Sequence, residues 1–171
     1  TTLIISGTSE ANATVGVFQD AVLIGTTTAN GSGVWSHNHT ATPLAEGTYT
    51  LTAEATDTAG NTSATSAGFA ITVDTSVAAP VVTNIADDTG SSSIDGITND
   101  NALWFDGTSE ANASVEVLLN GASIGAVTAD NSGNWSIDHS GTPLADGNYT
   151  VTARATDPAG NVSALSAGFS V

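Results

Sequence analysis

Acidic side chains are the residues best equipped for chemistry in this sequence. Four of them, Asp87, Asp88, Asp95 and Asp100, fall in one stretch, DDTGSSSIDGITND, together with Asn99, Gly90 and Gly96. A hard divalent cation such as Ca²⁺ takes about six to eight oxygens from carboxylates, amides and carbonyls, and glycine lets the backbone wrap closely around it. The spacing is not that of an EF-hand loop. A second group, Asp74, Glu110, Asp130 and Asp157 with Asn161, is spread along the sequence and depends on the fold to gather it. The competing reading for both groups is turn-making, because Asp and Asn favour Asx-turns.

Little else offers a reaction. His37, His39 and His139 are the only histidines; His39 and His139 lie next to Thr42-Pro43 and Thr142-Pro143 and read as loop or edge-strand residues. There is no nucleophile elbow, zinc spacing or phosphate loop. Ser and Asp are so abundant that chance Ser/His/Asp sets carry no weight, and the chain is expected not to be an enzyme.

Lys plus Arg total 1 against 17 Asp plus Glu, a formal net charge of -16. Affinity for phosphate backbones comes mainly from Lys and Arg, so nucleic acid is not an expected partner, and the same argument disfavours an anionic membrane surface. No apolar run approaches the roughly 20 residues of a membrane helix, and no signal peptide is visible. Hydrophobic residues make up 40% of the chain, which separates it from acidic disordered tails. Only 5% are aromatic, so the core should be thin. With no Cys there is no disulfide framework, and with no Lys there is no Lys–Asn isopeptide cross-link. Something else must brace the fold against its own charge.

The elements that position these residues repeat. GTSEANA at Gly7 to Ala13 recurs at Gly107 to Ala113, Trp35-Ser36 as Trp135-Ser136, and SAGF at Ser66 to Phe69 as Ser166 to Phe169. The offset is 100 throughout, and about 40 of the 71 aligned pairs are identical. Glu10 thereby matches Glu110, and Asp57 matches Asp157. The second copy has a leader, about Val77 to Asn101, that the first lacks. The repeat places a first unit over 1–74, without its first strand and Asp-rich loop, a linker over 75–79 and a second unit over 80–171. The chain reads as one and three-quarter units of a longer array.

The second copy predicts strands at Pro80 to Asp87, Leu103 to Asp106, Ser114 to Leu119, Ser123 to Ala129, Asn134 to Asp138, Asn148 to Thr156 and about Val162 to Val171. Asn120-Gly121 is a two-residue hairpin signal. Tyr149, Val151, Ala153 and Ala155 should face the core, with Trp135 as its largest member, and Trp35 and Tyr49 as counterparts. Trp104 and Phe105 are adjacent, so one of them should point outward. About seven short strands with frequent turns predict an all-β fold of tandem immunoglobulin-like Greek-key sandwiches. Strict alternation gathers Asp74, Glu110, Asp130 and Asp157 at one pole and the Asp87-to-Asp100 loop at the other.

The stretches DDTGSSSIDGITNDNALWFDGTSEANASVEVLLNG, TADNSGNWS and PLADGNYTVTARATDPAGNVS resemble the bacterial immunoglobulin-like repeats of large RTX-type adhesins exported by type I secretion. The resemblance covers essentially the whole chain. It implies an extracellular stalk at the bacterial surface, in adhesion or biofilm formation, with Ca²⁺ bound in and between repeats. It implies ligands among Asp74, Asp87, Asp88, Asp95, Asp100, Glu110 and Asp157. The first copy keeps Glu10 and Asp57 but lacks the Asp-rich loop. The expected partners are neighbouring Ig-like repeats of the same chain. Alternative readings are a glycan- or ice-binding module, or an accessory repeat of a secreted polysaccharide-degrading enzyme. A further one is a first unit whose open edge accepts a strand from another subunit.

Overall fold

The computed structural model describes residues 3–86, 88–93 and 95–171. They form two compact units, Thr1–Asp74 and Thr75–Val171.

The first unit carries β1 (Ile4–Thr8), β2 (Thr14–Gln19), β3 (Val22–Thr28), β4 (Val34–Asn38), β5 (Gly47–Thr56) and β6 (Phe69–Val73). β1 pairs with β4, and a second sheet has the order β3-β2-β5-β6. All pairings are antiparallel. Val15, Val17, Ala29 and Trp35 are buried between the sheets.

The second unit carries β7 (Val81–Ala86), β8 (Trp104–Thr108), β9 (Ser114–Leu119), β10 (Ala122–Thr128), β11 (Asn134–Asp138), β12 (Thr150–Thr156) and β13 (Phe169–Ser170). Its sheets have the orders β11-β8-β7 and β10-β9-β12-β13. The chain crosses between them after β8, β10 and β11, the Greek-key pattern of an immunoglobulin-like sandwich. Both units are thus the all-β sandwiches that the strand spacing predicts.

Alternation decides what each strand buries. On β8, Phe105 is fully buried while Trp104 is 43% exposed, the split that two adjacent aromatics on one strand require. Val115 and Val117 of β9 lie beside Ala155 and Ala153 of the neighbouring β12, on the face that also carries Val151, and all five are 0% exposed. Trp135 closes the core against Gly107, where a Cβ would overlap the indole ring; Trp35 and Gly7 repeat the arrangement. The β9–β10 hairpin turns on Asn120 (φ 49) and Gly121 (φ 80), the paired positive φ of a type I′ turn.

Two expectations need correction. Tyr49 and Tyr149 are only half-buried. Each hydroxyl instead donates to a backbone carbonyl four residues upstream, Ala45 O at 3.0 Å and Ala145 O at 2.9 Å. This is the tyrosine-corner device, in which the polar tip secures a loop while the ring covers the core edge. The final strand is also much shorter than the run from Val162 to Val171. Val162 makes one isolated bridge to Thr156, and regular pairing resumes only at Phe169. Between them, Ser163 and Ser166 Oγ accept from the N–H groups of Ala155 and Ala153. Serine side chains replace ladder carbonyls there, so the backbone need not keep strand geometry.

Candidate metal centre

One pole of the second unit is built from the loops after β8, β10 and β12. The loop after β12 is fixed by its own residues: Gly160 takes φ +91, and Gly160 N–H donates to Asp157 O at 3.1 Å. Asn161 N–H donates to Asp157 Oδ1 at 2.8 Å and its side-chain amide to Asp157 Oδ2 at 2.7 Å. Asp157 is 5% exposed. Burial pushes its carboxyl upward, but the hydrogen bonds from Asn161, Gly160 and Ala159 together outweigh it and hold the group below the ordinary aspartate range.

The loop after β8 carries Glu110. Ser109 N–H donates to Gly133 O, which ties this loop to the β10–β11 turn, and Ala113 N–H donates to Glu110 O. Carboxylate oxygens of Glu110 and Asp157 come within 4.8 Å of each other. Two oxygens on one calcium ion stand no more than about 5 Å apart, since each lies roughly 2.3–2.6 Å from the metal. The pair therefore has the span of shared ligands, and the residues present fit the ion. Asp130, assigned to this pole from the sequence, closes its own turn: Oδ1 accepts from Ser132 and Asn134 N–H.

The Asp-rich loop behaves differently along its length. Asp88 is buried, and its Oδ2 accepts from Gly96 N–H at 3.0 Å. Asp88 Oδ1 is buried without a hydrogen-bond partner among the described residues. A carboxylate oxygen out of water and unpaired is costly, and a cation beside it removes that cost. Asp95 is exposed and caps Ile97 N–H; Asp100 is half-buried and caps Ala102 N–H. These are Asx-turn roles, and each side chain keeps a second oxygen. Asp87 lies outside the described residues.

In the first unit, Asp57 repeats the anchored loop. Its Oδ1 accepts from Ala59 and Asn61 N–H and its Oδ2 from the Asn61 amide. Asp57 is half-buried rather than buried, and Glu10 is exposed. Asp74 follows β6 as the last residue of that unit and is half-buried. Sequence reasoning missed the amide clamp by Asn61 and Asn161, although its signal, Asn four residues after the aspartate in DxAGN, stands in both copies.

The profile of the family described as "Bacterial Ig-like domain" matches residues 1–75 and again 76–171. No curated protein matches the chain. Among solved structures, one bearing on host cell surface retention of a 1.5-MDa bacterial ice-binding adhesin is similar at 19% identity, TM-score 0.53, covering 99% of this chain and 56% of that one. A Ca²⁺-stabilized adhesin of an Antarctic bacterium that binds ice is similar at 24% identity, TM-score 0.44, covering 96% and 42%. The BSP domain of a biofilm-associated protein is similar at 24% identity, TM-score 0.41, covering 98% and 27%. The chain thus spans roughly a quarter to a little over half of those longer chains. It belongs to the bacterial Ig-like domain family, as two tandem members.

Proposed function

We propose that the chain is a calcium-stiffened stalk segment of a large bacterial cell-surface adhesin, working outside the cell in attachment or biofilm formation and exported by type I secretion. The observation that carries this reading is the pairing of buried Asp157 with Glu110, two carboxylates within 4.8 Å. Left bare, they repel; with a divalent cation between them the interaction changes sign.

Asp74, the last residue of the first unit, is a further candidate ligand. A bound cation supplies the brace that a stalk with no Cys and no Lys otherwise lacks. Asp88 with its orphan oxygen is the centre of a second site. Glu10 and Asp57 give the first unit the same pole. The ion is structural and catalyses nothing: it supplies positive charge and coordination, and the chain supplies fixed oxygens. Partners are the neighbouring Ig-like repeats.

Thermal melting in calcium and in chelator tests this. Calcium should raise the melting temperature, and Asp157→Asn should reduce the rise. A melting temperature indifferent to calcium would remove the ion from the reading and leave generic Ig-like repeats.

A further inference from the structure

The two units differ at one place on the paired strands β1–β4 and β8–β11. In the second unit Ile137 pairs with Phe105, and the Phe105 and His139 ring centroids are 6.1 Å apart. In the first, His37 pairs with Ile5, and the ring beside His39 is that of His37, with centroids 6.0 Å apart. The exchange keeps a ring next to the histidine but makes that ring an imidazole. His37 points inward, in phase with buried Trp35, and fits under β3 because residue 25 is glycine, where a Cβ would overlap the ring. Its Nε2 is buried without a hydrogen-bond partner among the described residues. Ile137 fills the matching place with no polar atom, so packing alone does not require a nitrogen there.

Both histidines are half-buried, and so are Ile137 and His139 at the matching positions. Access from solvent at this side is therefore common to the two units. Residues two apart on a strand share a face. His39 extends that geometry past the end of β4: its N–H donates to Leu3 O at 2.9 Å, which continues the β1–β4 ladder by one rung. Ring nitrogens bind a transition metal at roughly 2.0–2.1 Å, so two imidazoles on one ion keep their centroids within about 6.5 Å of each other. The observed 6.0 Å meets that limit. The broad χ2 of histidine lets each ring turn a nitrogen toward a shared ion.

We infer that His37 and His39 form a two-imidazole site for a divalent transition-metal ion, Cu²⁺, Ni²⁺ or Zn²⁺, with water completing the coordination. Imidazole suits these ions, and Cu²⁺ binds most tightly of the three; Ca²⁺ takes oxygen ligands instead. The site also stands apart from the acidic pole of its own unit. His39 lies opposite Leu3, just before β1, whereas Glu10 follows the other end of that strand. A net charge of -16 raises the local concentration of any cation. This inference does not depend on the calcium reading.

The test titrates Cu²⁺ into the untagged full chain with calcium in excess, so that carboxylate oxygens are already occupied. Binding is read by calorimetry and the ligands by electron paramagnetic resonance. One tight Cu²⁺ per chain should show coupling to two ring nitrogens. His37→Ile installs the residue that the second unit holds at this place; it should weaken the binding at least about tenfold and leave coupling to one nitrogen. His39→Ala, which alters no residue of β4, should do the same, and His139→Ala should change neither quantity. Melting without copper reports that each variant is folded. Coupling to fewer than two nitrogens in the wild type would overturn the proposal. So would wild-type affinity in His37→Ile or His39→Ala, or an equal loss in His139→Ala.

Discussion

Glu110 and Asp157 lie on different loops, yet bring carboxylate oxygens within 4.8 Å of each other at one pole of the second sandwich. Asp157 cannot swing away, because Asn161 holds both of its oxygens and only 5% of the residue is exposed. The proximity is therefore imposed by the fold. Glu110→Gln should act with opposite signs in two media: it should raise the melting temperature in chelator, by removing a like charge, and shrink the increment that calcium gives. Melting curves of the two proteins in both media check this; a variant that follows the wild type in both would show that the pair is too well solvated to matter.

Acid should destabilise the fold through the same loops. Asp157 is held below its ordinary range by hydrogen bonds that outweigh burial, Asp57 chiefly by the Asn61 side-chain amide, and Asp130 chiefly by Asn134 N–H. A carboxyl depressed in the folded state adds stability that is fully present above its unfolded value, about 3.9, and is lost as pH falls through the folded value. The melting temperature in chelator should hold down to about pH 5 and fall below about pH 4. Protonation also relieves self-repulsion across the chain, which acts the other way, so the informative quantity is the difference from Asp157→Asn. That variant should fall less steeply below about pH 4; parallel curves would contradict the assignment.

The sequence revealed the sandwich because strand alternation and turn residues are local signals. The run from Ser114 to Leu119, the Asn120-Gly121 turn and the Trp104/Phe105 split were all legible. The last strand was not, since Ser163 and Ser166 satisfy the neighbouring backbone with side-chain oxygens, and apolar patterning does not register such a substitution. Tyr149 was read inward because its phase matches that of Val151, Ala153 and Ala155, but a phenol needs a hydrogen-bond partner and finds Ala145 O at the edge. For the site, up-and-down tracing put Glu110 and Asp157 at one pole, as found. It could not tell that Asp130, Asp95 and Asp100 each cap a local turn, because Asx-turns and cation loops draw on the same residues.

The first unit contains one strained turn. Asp20 and Ala21 take φ 48 and 66, where the second unit has Asn120 and Gly121. A Cβ at positive φ costs roughly 1–2 kcal/mol. Ala21→Gly should therefore stabilise the first unit by about 1 kcal/mol, and Gly121→Ala should destabilise the second by at least about that much. Chemical denaturation of each variant measures both; a loss of stability in Ala21→Gly would refute the strain.

The serine bridges should matter more where they are buried. Ser163 Oγ accepts from Ala155 N–H at 2.9 Å and donates to Ala164 O at 2.7 Å in a site 8% exposed. Ser163→Ala leaves a buried N–H unsatisfied and should cost about 1–3 kcal/mol. Ser63 makes the matching bonds in an exposed setting, where water can replace them, so Ser63→Ala should cost clearly less. Equal losses would show that exposure at Ser63 does not let water take over its bonds.

Stiffness is the quantity on which the stalk reading turns. The chain has no Cys, so Thr28→Cys and Thr128→Cys, both at exposed strand positions, allow one spin label in each unit, and pulsed electron resonance gives the distance distribution between them. Calcium should narrow that distribution, chelator should broaden it, and Glu110→Gln should leave it broad in both. An equally wide distribution with and without calcium would contradict the claim that calcium stiffens the stalk.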